Sequence, residues 1–205
     1  MWGDPHFLTH DGHMYTFNGK GEFQLIQTSN DSFSVQVRMV PVNNSFGNGS
    51  QATVFTAVVS KQHDSDRVQF EVVESEIIVL VNGEQIDFTV IKEQEFSNVA
   101  IYDLGNSSFS ATFSTGAYIE VREENDFFSL LIISLPKAFK EIKTSGLMGS
   151  FNGNITDDLL PNGNTEPLSL NSTIQEIHEK FGLTCELYYT ITSVQYTSDS
   201  LFRDY

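Results

Sequence analysis

The chain has 205 residues, 27 acidic and 11 basic, giving a formal net charge of −16. That balance excludes nucleic acid and disfavours an anionic membrane surface, because both need a cationic face. Hydrophobic residues make up 40%, with 17 Phe and 7 Tyr, so a sizeable core is expected rather than global disorder.

The chain opens on "GDPHFLTHDGHMYTFNGKGEF", residues 3–23, where turn-forming Asp, Pro, His and Gly precede the aromatic residues. Alternation of apolar and polar residues predicts strands over 14–19, 22–28, 32–40, 52–60, 67–73, 76–81, 84–91, 99–104, 108–113, 117–123 and 127–134. Asn82-Gly83 is a hairpin signal, since a type I′ turn needs positive φ at both central residues. "FFSLLIIS", 127–134, alternates little and reads as a strand buried on both faces. Short turns between so many strands predict an all-β fold, an antiparallel β-sandwich or barrel-like pair of sheets. Residues 42–51 form a polar loop, "PKAFKEI" (136–142) one helical turn, and 145–164 a long irregular segment rich in Gly, Asn and Asp. A short C-terminal helix is expected over 171–182, with Thr173 as N-cap, Glu176 completing a capping box and Gly182 ending it. The β-leaning residues 184–205 are expected to begin a following extracellular segment, after a first domain over 1–183.

Cys185 is the only cysteine, so an internal disulfide is excluded. Six N-x-S/T sequons, at Asn30, Asn43, Asn48, Asn106, Asn154 and Asn171, point to a secreted or cell-surface glycoprotein. No apolar leader follows Met1 and no run reaches membrane-spanning length, so a piece of a longer extracellular chain is expected.

Three stretches carry chemistry. Asn152, Asn154, Asp157 and Asp158 put oxygen donors within seven residues, while Gly149 and Gly153 let the backbone turn tightly. Hard oxygen donors on an irregular loop suit Ca²⁺. The same residues equally suit a loop held by Asx turns, and spacing alone leaves both readings open. His6, His10 and His13 raise zinc as a rival, although an extended chain would separate His6 from His10 by roughly 13 Å. Asp4-Pro5 is chemically fragile: the Asp4 carboxyl can attack its own carbonyl carbon, Pro5 leaves as the amine, and His6 can move protons. An ordinary X-Pro turn is the competing reading. A hydrolase is the alternative function class. Ser145 and Ser150 lie outside a G-x-S-x-G elbow, and Glu123-Glu124 face opposite ways on a strand.

"GDPHFLTHDGHMYTFNGKGEFQLI" followed by "GLMGSFNGNITDDLLPNG" resembles the von Willebrand factor type D domain, over about residues 3–183. The low cysteine content resembles the branch in mucin-4-like and sushi-domain-containing surface proteins and in invertebrate mucin-like matrix proteins. The resemblance implies a non-enzymatic structural or adhesive module with a structural Ca²⁺ site. Asp11 would supply a ligand from the first turn. Asn152, Asp157 and Asp158 would supply loop ligands, and Asn154 its backbone carbonyl. It also implies cleavage between Asp4 and Pro5 as in some members. Neighbouring extracellular domains and other matrix or cell-surface proteins are the expected partners, with a mineral surface as a further one for the acidic face. Met148 stands where the family usually has Cys, and Ser150 where it usually has Asn, which puts disulfide-linked polymerisation in doubt.

Overall fold

The computed structural model describes residues 1, 5–42, 52–187, 189–192, 195–198 and 201–202. Asp4, Asn43 and Asn48 lie outside these. The chain starts with a small hairpin, β1 (His6–Leu8) and β2 (Met14–Thr16). Six strands follow: β3 (Gly21–Thr28), β4 (Phe33–Pro41), β5 (Thr53–Gln62), β6 (Val68–Val73), β7 (Glu76–Val81) and β8 (Glu84–Gln85). Then come β9 (Glu93–Phe96), β10 (Val99–Asp103), β11 (Ser108–Phe113), β12 (Tyr118–Glu124) and β13 (Phe127–Ser134). A short β14 (Thr144–Ser145), helix α1 (Ile174–Lys180) and a hairpin of β15 (Tyr189–Thr192) and β16 (Gln195–Ser198) complete the order.

Two antiparallel sheets form the body. One runs β14-β3-β4-β5-β6-β7-β8, the other β13-β12-β11-β10-β9. They pack face to face, so the fold is the expected sandwich and not a closed barrel. Phe33 on β4 meets Phe113 on β11 edge-on with ring centroids 5.3 Å apart, and Phe70 on β6 meets Phe109 on β11 at 6.2 Å. Such pairs contribute about 0.5–1.5 kcal/mol each beyond their burial.

Local chemistry sets the turns. Asn82 and Gly83 both have positive φ, 54° and 92°, as a type I′ hairpin requires. The Thr173–Glu176 capping box is present in both directions at the start of α1, and Lys137–Glu141 is a single 3-10 turn. Two strand expectations need correction, and one strand was not foreseen. Residues 84–91 are strand only at Glu84–Gln85, because the Asp87 carboxylate accepts the Thr89 backbone N–H at 2.7 Å and bends the chain. Glu93–Phe96, whose polar sequence hid it, is β9 instead. β13 is not buried on both faces: it is the last strand of its sheet, and Ile132 is exposed.

Past residue 183, Leu187 N–H bonds the Glu22 carbonyl at 2.9 Å. Phe202 packs on Ala57 and Val59 on the outer face of the larger sheet, with the Arg38 guanidinium 4.7 Å above its ring.

Candidate metal centre

The site joins the first turn of the chain to a loop more than 130 residues later. The β1–β2 hairpin closes through Thr9 N–H to the His13 carbonyl at 2.9 Å, with Gly12 at φ 102° in its tip. That geometry projects Asp11 outward. On the other side, β14 adds to the edge of β3, and the chain continues along it: Leu147 and Met148 N–H bond the Gln24 and Leu25 carbonyls at 3.0 and 2.9 Å. Gly146 makes this approach possible, because a Cβ there would lie 2.6 Å from the Leu25 carbonyl oxygen. Tyr15 on β2 stacks on Phe7 at 5.0 Å and donates its hydroxyl to the Leu147 carbonyl. The turn and the loop are therefore held by the same core.

Asp11 is the hub. Its Oδ2 accepts the backbone N–H groups of Asn152, Gly153 and Asn154 at 2.9, 2.8 and 3.2 Å. Asn152 Oδ1 accepts the Asn154 N–H at 2.7 Å, and its amide nitrogen donates to Asp157 Oδ2 at 2.8 Å. Asn154 Oδ1 caps a 3-10 turn, Ile155–Asp157, by accepting the Thr156 N–H at 3.2 Å. Asx-type bonds therefore shape this loop, as one of the two sequence readings expects.

Asp158 is the buried member, 1% exposed. Its Oδ2 accepts the Thr9 hydroxyl at 2.6 Å, and the same hydroxyl oxygen accepts the His13 N–H at 2.8 Å. Asp157 Oδ1 is buried with no hydrogen-bond partner, whereas the buried Asp158 carboxylate also takes a backbone bond from Ser150. Burial pushes the Asp158 carboxyl up to about 6; Asp11 and Asp157 push the same way, and the bonds from the Thr9 hydroxyl and the Ser150 backbone oppose them. A hard divalent cation would relieve the repulsion that Asp158 feels from Asp11 and Asp157. Asp11 takes part mainly through its grip on the loop backbone. Among the described residues no three His, Cys, Asp or Glu side chains converge as a ready cluster.

The histidines are dispersed. His6 Nδ1 lies 2.9 Å from the Thr16 hydroxyl, His10 packs on Phe151 and His13 on Tyr15. Pro5 is buried, and its carbonyl accepts the Phe17 N–H at 3.3 Å. Ser145 and Ser150 line a cavity of about 260 Å³ with Lys143 and Asp158. Among the described residues no hydrogen bond links those serine hydroxyls to a base, as an activated nucleophile requires. Met148 is buried in the main core, and Cys185 is buried too, its thiol pushed up to about 12 by burial. Thr9 carried no sequence signal of its own. Gly149 did, and a Cβ there would sit 2.6 Å from Asp158 Oδ1.

Burial also pulls the His10 imidazole down to about 4, against the Asp11 charge, and lowers His13. The signs at Asp158 and His10 are opposite. Asp158 holds its proton more tightly when folded, so metal-free stability rises as pH falls from about 6 toward the ordinary carboxylate range. His10 resists protonation when folded, so stability falls between its ordinary 6.5 and about 4. In chelator, His10→Gln should therefore gain stability over the parent on acidification from pH 7 to pH 4.5. Urea titrations at a series of pH values read this directly; parallel curves for the two proteins would contradict it.

The family model for the von Willebrand factor type D domain matches residues 1–165. Sushi domain-containing protein 2 of Homo sapiens is 33% identical over 159 residues, 77% of this chain and 19% of that protein. Protein mesh of Bombyx mori is 31% identical over 196 residues, 88% of this chain and 12% of the relative. Mucin-4 of Homo sapiens is 32% identical over 201 residues, 91% of this chain and 4% of the mucin. The chain thus spans less than a fifth of each of these relatives. With both signature segments in place, joined by the Asp11 bonds to residues 152–154, the chain belongs to the von Willebrand factor type D domain family.

Proposed function

We propose that the chain is a non-enzymatic extracellular module of a mucin-like or adhesive cell-surface or matrix protein, and that a structural Ca²⁺ locks its N-terminal hairpin to the 149–158 loop. Mucin-4 and sushi-domain relatives, each far longer than this chain, support the extracellular, multidomain part of the reading. The single observation that carries the metal is the buried, partnerless Asp157 Oδ1 next to the Asp158 carboxylate, itself 1% exposed and raised by burial and by the charges of Asp11 and Asp157. The ion would neutralise these acids, which otherwise repel one another and Asp11. Asp157 and Asp158 would hold it directly. Asp11, Asn152 and the Asn154 backbone carbonyl complete the implied set. Neighbouring domains and other matrix or cell-surface proteins remain the proposed partners, and mineral a further one for the acidic surface. Calorimetric titration of the chain with Ca²⁺ should show one saturable site that Asp158→Asn abolishes. Absence of heat in the parent chain would remove the ion from the proposal.

The compartment and the N-terminal processing share one test. Asn30, Asn106, Asn154 and Asn171 are exposed, as glycan acceptors must be. The chain, extended upstream of Met1 and secreted from a eukaryotic host, should lose mass on glycosidase treatment. If Asp4-Pro5 breaks, N-terminal sequencing should find Pro5 first, and Asp4→Asn should suppress that product. An unshifted mass would contradict the compartment, and an intact chain from neutral to mildly acidic pH would contradict the processing.

A further inference from the structure

β9 is the last strand of the five-stranded sheet, and its hairpin geometry fixes which of its backbone groups are free. Ser97 and Asn98 are a two-residue turn between the paired Phe96 and Val99. In such a hairpin the closing pair is hydrogen-bonded and the bonded positions then alternate. Gln94 therefore bonds Ile101, and Lys92 bonds Asp103, as the 2.8 Å bond from Asp103 N–H to the Lys92 carbonyl shows. The N–H and C=O groups of Glu93 and Glu95 consequently point away from the sheet. No hydrogen bond to them occurs among the described residues.

Side chains along this edge alternate in a matching way. Gln94 and Phe96 share the face of buried Ile101 and Val99, and both are half-buried. Glu93 and Glu95 lie on the opposite face and are exposed. Just before the strand, Val90 and Ile91 are 86% and 59% exposed. The adjacent cation, Lys92, is already paired with Asp103 at 2.6 Å.

We propose that the outer edge of β9 is a strand-addition site for a basic, extended segment of a partner protein, with apolar and cationic side chains in alternation. The backbone groups of Glu93 and Glu95 bond the incoming strand. Its apolar side chains cover Phe96 on the face of Val99 and Ile101. Its cationic ones lie across from Glu93 and Glu95, where opposite charges on paired strands attract. A second copy of this chain fits poorly. An antiparallel pairing of two β9 edges centred on Gln94 sets Glu93 against Glu95, and each copy carries a net charge of −16. The acids that protect the edge from self-pairing thus select a cationic strand.

The test uses the 205-residue chain and an acetylated, amidated nonapeptide alternating lysine and valine. Saturable one-to-one binding is expected, with amide exchange at Glu93 and Glu95 slowed about tenfold or more at saturation. Glu95→Pro removes one outward N–H without breaking an internal bond, so it should keep the melting temperature and weaken binding about tenfold or more. A double Glu93→Lys, Glu95→Lys variant should weaken it likewise. A peptide N-methylated at alternate residues, or one with glutamate for lysine, should not bind. If Glu95→Pro misfolds, the charge-reversed variant and the N-methylated peptide still decide. Absence of binding, protection elsewhere, or binding indifferent to N-methylation would overturn the proposal. Concentration-dependent dimerisation that protects the same amides without peptide would assign the edge to a second copy and overturn it too.

Discussion

Gly149→Ala should cost about 2–5 kcal/mol of stability, through two terms that add. The residue has φ 72°, where an L side chain costs about 1–2 kcal/mol. A Cβ there would also stand 2.6 Å from Asp158 Oδ1 and 2.9 Å from Asp158 Cα, in a packed region where overpacking costs about 1–3 kcal/mol. Asp158 cannot swing aside without giving up the Thr9 hydroxyl. Gly163 supplies the control: its φ is 83°, but nothing lies within 4 Å of the position a Cβ would take, so Gly163→Ala should cost only about 1–2 kcal/mol. Urea unfolding of the two variants separates steric cost from backbone cost. Equal losses would mean that the loop does not press on Asp158 as described.

Asp11→Ala should be the second large effect, about 2 kcal/mol. Hydrogen bonds to a charged group contribute about 1.5–3 kcal/mol each when shielded. Three converge on Asp11 Oδ2, yet residues 152–154 are exposed and water can replace much of the loss. The specific signature is local. Amide exchange at Asn152, Gly153 and Asn154 should accelerate strongly, while the sheet amides of β4 and β5 change only with global stability. Asp11→Asn keeps one acceptor oxygen and should fall between the parent and Asp11→Ala. Unchanged exchange at those three amides would show that Asp11 does not hold the loop.

The parts of this structure that were legible in the sequence are those with local causes. Asn82-Gly83 turns as it must, and Thr173 with Glu176 caps α1. The sandwich follows from alternation over most strands. The failures have non-local causes. Residues 84–91 alternate like a strand, but the Asp87 bond to Thr89 and the passage from one sheet to the other leave Val90 and Ile91 in solvent. The apolar run 127–134 looked doubly buried; the residue that covers part of its edge is Met1, whose carbonyl accepts the Leu131 N–H at 3.1 Å. The site divides in the same way. Gly149, Asn152, Asp157 and Asp158 could be picked out by composition, whereas linking them to Asp11 needed the order of two distant motifs. Thr9 could not be found at all, because a threonine in a turn becomes meaningful only when a carboxylate from the far end of the chain lies 2.6 Å away.

The central claim is that a cation fastens the two ends of the domain, and thermal unfolding with and without Ca²⁺ tests it most directly. Melts of the 205-residue chain should be run in millimolar Ca²⁺ and in excess chelator. A ligand held only by the folded state at 100 times its dissociation constant adds about 2.7 kcal/mol, or about 5–10 °C for a chain of this size. The account predicts that shift in the parent chain and its disappearance in both Asp157→Ala and Asp158→Asn. Superimposable melts in Ca²⁺ and chelator, with Asp157→Ala also melting like the parent, would contradict it.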